Sequence, residues 1–307
     1  MSELVVLLDL GSNAARFVLT RISGGVGFRI IKQERVQTRL GSSTRGHLPA
    51  DAVDATLRAV RRFLGDVGNG SRPRVVAVAT AAVREALNRD RLLEPLRRLD
   101  GVEVRVLSGR QEARLGALAA LESLPIRDGT VADLGGGSLQ LSRVRGGRPI
   151  AFASLPLGAL RLTRRFFRHD PPTGREMRAL RAEIRSQVLG ALPPASRDAE
   201  MLGLGGTIRT LARIHLAVAA GRRCARHGLR LLQSDITAIR ERLESVPLRR
   251  RRRIRGLRAE RADIMLAGTM VVEELMQFGG YRTLTVCTLG VRDGVLLRET
   301  FNGSGPS

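Results

Sequence analysis

Two stretches of the sequence decide the fold: Leu4-Val-Val-Leu-Leu-Asp9-Leu-Gly-Ser-Asn13 and Thr130-Val-Ala-Asp133-Leu-Gly-Gly-Gly-Ser138. Each is an apolar run that ends in Asp-Leu-Gly, and the two aspartates are 124 residues apart. A short apolar run that stops at glycine is typical of a β-strand buried on both faces. Because two further strand-like segments follow each run, we predict two halves that share an architecture but not a detailed sequence.

The segments around these two strands predict an α/β protein. In the first half we expect strands at residues 15–22, 27–37, 75–80 and 102–107, and helices at 49–67, 92–99 and 110–121. In the second half we expect strands at 139–144, 149–154, 201–204 and 284–287, and helices at 160–167, 175–189, 208–220, 234–243 and 262–278. Pro125 and the turn Arg127-Asp128-Gly129 mark a boundary. We assign residues 1–124 to an N-terminal domain and residues 125–307 to a C-terminal domain. One alternative for the last predicted helix, at about 290–301, is that it packs against the N-terminal domain.

The composition indicates a soluble globular protein. Of the 307 residues, 43% are apolar, which is enough for two hydrophobic cores. The longest apolar runs fall short of the roughly 20 residues that a membrane span needs, and no secretory leader is recognisable. Cys224 and Cys287 form neither a CxxC pair nor a disulfide framework. We therefore expect a cytoplasmic protein without a membrane partner, and we assign no role to the two cysteines.

The charge of the chain points to an anionic partner. Lysine and arginine total 52 against 29 aspartates and glutamates, a net charge of +23, and Lys32 is the only lysine. Such an excess creates a positive field that attracts polyanions. With one tyrosine, eight phenylalanines and no tryptophan, few side chains are present on which single-stranded bases could stack. A phosphate-rich small molecule or polymer is therefore favoured over nucleic acid as the specific partner.

Three glycine loops follow predicted strands, and we interpret them as phosphate-binding loops. They span residues 9–13, 133–138 and 203–207. Glycines let backbone N–H groups approach an anion closely, and an aspartate before the loop can hold Mg²⁺ directly or through water. One such loop is more often a simple turn, but three of them indicate two lobes that bind a phosphate chain. The residues expected to bind phosphate are Gly11, Ser12, Asn13, Gly135, Gly136, Gly137, Ser138, Gly205, Gly206 and Thr207.

The order and spacing of the loops resemble the actin / sugar kinase / heat-shock-chaperone ATPase superfamily. The intervening segments are similar to the exopolyphosphatase / guanosine pentaphosphate phosphohydrolase (Ppx/GppA) family, in its short two-lobed form. These segments are Ala79-Thr80-Ala-Ala-Val-Arg84-Glu-Ala, Ser108-Gly109-Arg-Gln-Glu112-Ala113, Leu155-Pro-Leu-Gly158-Ala, Arg261-Ala-Asp263-Ile and Gly290-Val-Arg292-Asp-Gly294. The resemblance runs from about residue 4 to residue 300. It implies two actin-like (ribonuclease H-like) lobes, each a mixed sheet flanked by helices, with an interdomain cleft.

The same resemblance implies an activity and assigns residues to it. The activity is hydrolysis of the terminal phosphoanhydride of inorganic polyphosphate, of guanosine pentaphosphate, or of both, with Mg²⁺ or another divalent cation. Glu112 aligns with the glutamate that activates water, Asp133 with the Mg²⁺-associated aspartate, and Arg84 with an arginine that grips phosphate; Asp9 is the equivalent of Asp133 in the first lobe. Taken alone, Glu112 is a first-turn glutamate that favours a helix N-terminus, and Arg84 is one arginine among many. The resemblance is also compatible with a homodimer.

Four positions depart from the family pattern. Gln111 and Gln140 stand where glutamate is common, Ala14 stands where serine or threonine is common, and Ala81 stands where serine is common. Each change removes a polar or charged group near the expected phosphates. Two alternatives therefore stay open: a catalytically weakened sensor that binds polyphosphate or guanosine polyphosphates, and an ATP-dependent kinase of the superfamily.

A run of five arginines is the densest charge in the sequence. It comprises Arg249, Arg250, Arg251, Arg252 and Arg253, and it continues with Arg255, Arg258 and Arg261. Its expected role is to guide polyphosphate, because contacts to phosphate give affinity without sequence readout. An equally favoured interpretation is that the run forms the solvated face of a helix, because Ile254 and Leu257 fit an amphipathic helical turn. The four histidines are scattered, and we assign them no role.

Overall fold

The computed structural model describes residues 2–23, 27–43, 46–67, 73–193, 199–218 and 225–302. The chain divides into two compact units. Unit 1 holds the residues up to Leu115 and those from Val291 onward, and unit 2 holds Gly116–Gly290. The division lies inside a helix and not at the turn near residue 125. Its cause is packing: Leu115 is buried in a core of unit 1, whereas Ala120 on the same helix is buried in a core of unit 2.

Unit 1 is built on a five-stranded mixed sheet. Its strands are β1 (Ser2–Leu10), β2 (Ala15–Ser23), β3 (Gly27–Val36), β4 (Arg74–Ala79) and β5 (Val102–Val106). They lie in the order β3-β2-β1-β4-β5. The first three are antiparallel neighbours, and β4 and β5 are added in parallel. The helices are α1 (Ala50–Val67), α2 (Ala81–Arg84), α3 (Asp90–Arg97), α4 (Gly109–Ser123, which continues into unit 2) and α11 (Val291–Asn302).

Strand β1 explains why the first decisive stretch is apolar throughout. Side chains of a strand alternate between its two faces. Val6 and Leu8 pack into the core that contains residues of α1 and α3. Val5 and Leu7 pack into a second core, which contains residues of α11. Both faces are covered, so the strand carries no polar alternation.

Unit 2 contains a six-stranded mixed sheet. Its strands are β6 (Gly129–Leu134), β7 (Leu139–Arg145), β8 (Arg148–Leu155), β9 (Glu200–Leu204), β10 (Arg230–Leu232) and β11 (Thr283–Val286). They lie in the order β10-β11-β9-β6-β7-β8. Without the edge strand β10, this order and the strand directions repeat those of the first sheet. The predicted repeat of architecture is therefore confirmed.

The helices of unit 2 include one buried helix, against which four of the others pack. They are α5 (Ala159–Phe166), α6 (Gly174–Val188), α7 (Gly205–Val218), α8 (Gln233–Glu244), α9 (Leu248–Arg251) and α10 (Met265–Gly279), with a 3-10 turn at Ala259–Arg261. The first twelve residues of α10, Met265–Met276, are all buried. Two of them, Glu273 and Glu274, are acidic and are held by arginines of α6 and α8.

Most predicted elements are present within the described ranges. The short elements α2, α9 and β10 were not predicted, since three or four residues give too little pattern. The helix expected from residue 262 begins at Met265, because a 3-10 turn precedes it. Residues 219–220 of the predicted helix 208–220 lie outside the described part. Among the described helices, none is long and apolar enough to cross a membrane.

Candidate active site

The first glycine loop, Gly11–Ala14, joins β1 to β2, and its carbonyl groups are held by the chain that follows β3. The carbonyl of Ser12 accepts a hydrogen bond from the N–H of Gly41 (2.8 Å), and that of Asn13 accepts one from Arg39 (3.2 Å). Gly41 must be glycine, because a Cβ there would lie 2.9 Å from the Cβ of Ser12. Arg39 adopts a left-handed conformation (φ 54°), which is uncommon for a residue other than glycine. These contacts fix the shape of the loop.

Asn13 carries the clearest mark of a binding residue in unit 1. It is 6% exposed, and neither its Oδ1 nor its Nδ2 has a hydrogen-bond partner among the described residues. The hydroxyl of Thr38, next to Arg39, is also buried and also has no hydrogen-bond partner among the described residues. A buried polar group without a partner costs about 1–3 kcal/mol. The amide of Asn13 is therefore open to a ligand at the position where the sequence predicts a phosphate contact.

Glu112 and Arg84 form an ion pair in unit 1. Glu112 lies in the first turn of α4 and is only 4% exposed. Nη1 of Arg84, which ends α2, donates to Oε1 of Glu112 and to the carbonyl of Leu107 (2.7 Å). The guanidinium therefore orients the carboxylate, in addition to any contact that it makes with phosphate. Asp9, at the end of β1, pairs through Oδ2 with Arg16 (3.3 Å).

Gln111, one of the positions that depart from the family pattern, has a structural role. Its Oε1 accepts a hydrogen bond from the N–H of Ser108 (2.8 Å), and its own N–H donates to Oγ of Ser108 (3.2 Å). This reciprocal pair is a capping box at the start of α4. Glutamine performs this function as well as glutamate does, so the change at Gln111 leaves the helix start intact.

The second glycine loop, Gly135–Ser138, joins β6 to β7, and its carbonyls are held by the start of α5. The carbonyl of Gly135 accepts from the N–H of Ala159 (3.1 Å), and that of Gly136 accepts from Leu160 (2.9 Å). Gly158 fits so closely that a Cβ there would lie 2.2 Å from the carbonyl carbon of Gly137. Within the described chain, the N–H groups of Gly136, Gly137 and Ser138 have no protein acceptor. The loop therefore presents donors, as an anion-binding nest does.

Asp133 lies at the end of β6 in a space that glycines keep open. A Cβ on Gly205 would lie 2.8 Å from its Oδ1. Cβ atoms on Gly116 and Gly290 would lie 3.6 and 3.8 Å from its Oδ2. No group of three or more His, Cys, Asp or Glu side chains that could hold a metal ion occurs in the described ranges. Mg²⁺ needs only one or two carboxylates, together with water and substrate oxygens, so the Asp133 carboxylate fits that ion.

The third glycine loop opens α7, and it has a cationic neighbour that the sequence analysis did not place there. A Cβ on Gly206 would lie 2.8 Å from Nη1 of Arg261, and Nη2 of Arg261 donates to Oγ1 of Thr207 (3.4 Å). Arg261 is 8% exposed. In the sequence, Arg261 stands in the continuation of the arginine run and also in the family-like segment Arg261-Ala-Asp263-Ile, and that segment is the signal that points to the site. Structure adds Arg261 to the candidate site of unit 2.

The arginine run is not uniform. Arg249, Arg250, Arg252 and Arg253 are exposed, as a polyanion-guiding role requires. Arg251 differs from that prediction, because it is 3% exposed and its Nε donates to the carbonyl of Leu243 (2.5 Å). Burial lowers the pKa of the Arg251 guanidinium, and the nearby Asp170 carboxylate opposes this effect. Arg251 therefore anchors its turn from inside.

The remaining residues considered in the sequence are two alanines, two cysteines and the histidines. Ala14 and Ala81 are buried. Cys287 is buried with its sulfur 3.6 Å from the hydroxyl of Ser123, and Cys224 lies outside the described residues. Three histidines contact neighbouring polar groups: His169 contacts Glu176, His215 contacts Asp235 and His227 contacts Thr288.

The chain has two α/β units of one repeated architecture, and in each of them an aspartate precedes a glycine loop whose carbonyls are held by neighbouring backbone N–H groups. The chain belongs to the Ppx/GppA phosphatase family, whose model matches residues 18–302. The resemblance seen in the sequence is thereby confirmed. The predicted fold class of two mixed sheets flanked by helices is confirmed as well.

Relatives along the whole length support this assignment. Exopolyphosphatase 1 of Mycobacterium leprae is 31% identical over 95% of this chain and 88% of its own length. An uncharacterised protein of Streptomyces coelicolor is 33% identical over 97% of this chain and 90% of its own. The crystal structure of the Aquifex aeolicus member of the Ppx/GppA family superimposes with a TM-score of 0.83 at 29% identity and covers both chains completely.

Proposed function

We propose that this protein is a Mg²⁺-dependent phosphohydrolase that releases the terminal phosphate of inorganic polyphosphate, with guanosine pentaphosphate as a second substrate. The observation that carries the proposal is the second glycine loop. Its carbonyls are fixed by α5, its N–H groups are left as donors, and Asp133 precedes it. Family membership and the relative named exopolyphosphatase 1 support the same reaction class.

Hydrolysis of a phosphoanhydride needs a base for water, donors for the phosphate oxygens and a counter-charge. We assign the base to Glu112, whose carboxylate Arg84 orients. Glu112 takes a proton from water, the water oxygen bonds to the terminal phosphorus, and the bond to the bridging oxygen breaks. The products are orthophosphate and a chain that is one phosphate shorter.

The substrate oxygens need donors as well as charge neutralisation. Donors would come from the N–H groups of the glycine loops, from the Asn13 amide and from Arg261. Asp133 in unit 2 would hold a divalent cation, and Asp9 is its counterpart in unit 1. When bound, Mg²⁺ offsets negative charge on the phosphate oxygens. The Asp9–Arg16 pair leaves Oδ1 of Asp9 for this role.

The charge of the chain favours a long polyanion over a single nucleotide. The net charge of +23 attracts polyphosphate from a distance. We propose that the exposed side chains of Arg249, Arg250, Arg252 and Arg253 contact parts of the polymer away from its terminal phosphate. Such contacts weaken as salt rises.

The deciding experiment measures orthophosphate release from long-chain polyphosphate, with Mg²⁺ or with EDTA. The wild type is compared with Glu112→Gln and with a matched control, Glu122→Gln, which changes an exposed glutamate on the same helix. We expect Mg²⁺-dependent release that falls by about 10²–10⁴-fold in Glu112→Gln and is unchanged in Glu122→Gln. Equal activity of Glu112→Gln and wild type would refute the role of Glu112. Parallel reactions with guanosine pentaphosphate rank the two substrates.

Gln140 supports a second candidate, a sensor that binds polyphosphate and hydrolyses little. Gln140 is a neutral amide at a position where the family commonly has glutamate, and it lies directly opposite Asp133 in the sheet. In that case the wild type binds polyphosphate without releasing phosphate, and Gln140→Glu raises turnover sharply. Release by the wild type at rates typical of enzymes would eliminate the sensor.

A further inference from the structure

Gln140 lies in the middle of a row of polar side chains that crosses three strands of unit 2. In the register of the sheet, Asp133 on β6 is opposite Gln140, and Gln140 is opposite Ser154 on β8. Residues directly opposite one another in antiparallel strands share a face, with Cβ atoms about 5 Å apart. Gln140 is 3% exposed, so its amide needs partners inside the protein.

Both protons of the Gln140 amide are used. Nε2 donates to Oγ of Ser138 (2.7 Å), the last residue of the second glycine loop, and to Oγ of Ser154 (3.1 Å). A serine hydroxyl that accepts a hydrogen bond still has its own proton to donate. For Ser138, which is 4% exposed, the described residues offer no acceptor for that proton.

We propose that Gln140 is a positioning residue for phosphate binding: by making Ser138 an acceptor, it leaves the Ser138 hydroxyl proton to donate to a phosphate oxygen. This inference rests on the proposed function, because it presumes that the second glycine loop binds phosphate. It assigns to Gln140 a working role and not that of a degenerate glutamate.

Glutamate at this position would reverse the direction of the hydrogen bond. An ionised carboxylate is only an acceptor, so Ser138 would have to donate its single proton to it. The hydroxyl would then offer a phosphate oxygen nothing but lone pairs. A second carboxylate directly opposite Asp133 would also add like-charge repulsion. Both effects weaken the binding of a bare phosphate chain.

The test measures the binding of tripolyphosphate by calorimetry in the presence of EDTA, so that neither turnover nor metal enters the result. The variants are Gln140→Glu, Gln140→Met, Ser138→Ala and the double variant Gln140→Met/Ser138→Ala. Gln33→Glu makes the same charge change on an exposed residue of β3 and serves as the matched control. Thermal unfolding of every variant checks that it is folded.

We expect Gln140→Glu to bind tripolyphosphate at least about tenfold more weakly than the wild type, because a hydrogen bond to a charged group is lost. Gln33→Glu should bind normally. Gln140→Met should weaken binding about threefold in the wild-type background and not at all in the Ser138→Ala background, because its effect acts through the hydroxyl. A further variant, Ser138→Thr, keeps a hydroxyl and should bind tripolyphosphate as the wild type does.

Two outcomes would overturn the inference alone: normal binding by Gln140→Glu, or an equal loss from Gln140→Met in both backgrounds. If Gln140→Glu does not fold, the comparison of Gln140→Met in the two backgrounds decides by itself. Failure of the folded wild type to bind tripolyphosphate would overturn the proposed function and this inference together. The calorimetry therefore separates the two.

Discussion

The two buried acids of α10 give the most quantitative prediction for stability. Glu273 and Glu274 are 1% and 0% exposed. Arg181 pairs with both, through Nη2 to Glu273 (3.3 Å) and through Nε to Glu274 (2.6 Å). Arg240 (2.9 Å) also pairs with Glu273, and Arg185 (2.7 Å) with Glu274. We predict that Arg181→Met destabilises the protein more than Glu274→Gln does.

The magnitude follows from which charge is left buried. Leaving a buried ion without a partner costs about 3–5 kcal/mol. In Arg181→Met each carboxylate keeps one arginine, and Arg181 is itself 35% exposed, so we expect about 2–3 kcal/mol after solvent screening. In Glu274→Gln the arginines left behind are 35% and 50% exposed and can be hydrated. The expected cost of Glu274→Gln is therefore only about 1 kcal/mol.

The assay is thermal unfolding followed by far-ultraviolet circular dichroism. At about 2–4 °C per kcal/mol, Arg181→Met should lower the midpoint by roughly 4–12 °C and Glu274→Gln by roughly 2–4 °C. Arg178→Met removes an exposed arginine from the same helix and should leave the midpoint almost unchanged. A midpoint in Glu274→Gln as low as that of Arg181→Met would show that buried charge is not the controlling factor.

Three further predictions concern the loop, the pH response and the charge. Gly158→Ala should lower kcat/KM for polyphosphate by about 10²-fold, because the added Cβ collides with the second glycine loop and displaces it. Gly65→Ala is the control and should leave kcat/KM unchanged, because a Cβ there meets no atom within 4 Å. Burial acts to raise the pKa of Glu176, but hydrogen bonds from the Thr173 and Arg168 backbone and from His169 outweigh it and lower that pKa to about 2. Folding thus favours the ionised form of Glu176, so its contribution to stability is complete above the unfolded pKa of 4.5 and is lost as pH falls toward 2. Glu176→Gln should lower the stability by about 1 kcal/mol at pH 7, and its unfolding midpoint should depend less on pH between 4.5 and 2 than that of the wild type. Replacing Arg249, Arg250, Arg252 and Arg253 by glutamine should raise KM for long polyphosphate several-fold and reduce its salt dependence, with KM for tripolyphosphate unchanged; equal effects on both substrates would exclude a guiding role.

The architecture could be predicted from the sequence because the strongest signals are local. A continuous apolar strand that stops at glycine requires cover on both faces, and its recurrence after 124 residues requires a second sheet. The domain boundary was less accessible. It lies within α4, where Leu115 and Ala120 enter different cores, and a helix gives no sign in its own sequence of where its neighbours change.

The contents of the candidate site were predictable only in part, since several depend on approaches between distant segments. Arg261 reaches the third loop across 54 residues of sequence, and its guanidinium lies in the space that a Cβ on Gly206 would enter. Arg251 is identical in type to its four neighbours, and its burial is decided by the carbonyl of Leu243 that it meets. A run of like residues contains no information about which member faces inward.

The two aspartate-bearing glycine loops share a construction that sequence comparison of the halves does not show. In unit 1 the N–H groups of Arg39 and Gly41 hold the loop carbonyls, and in unit 2 the N–H groups at the start of α5 do so. In both, a glycine outside the loop, Gly41 or Gly158, permits an approach that any Cβ would block. A peptide group whose carbonyl is held on one side turns its N–H to the other, and fixed donors bind an anion without the cost of reorganising. If the loops bind phosphate as proposed, the segments Arg39–Gly41 and Gly158–Arg161 contribute to that binding through their backbone, and none of their side chains needs to contact phosphate.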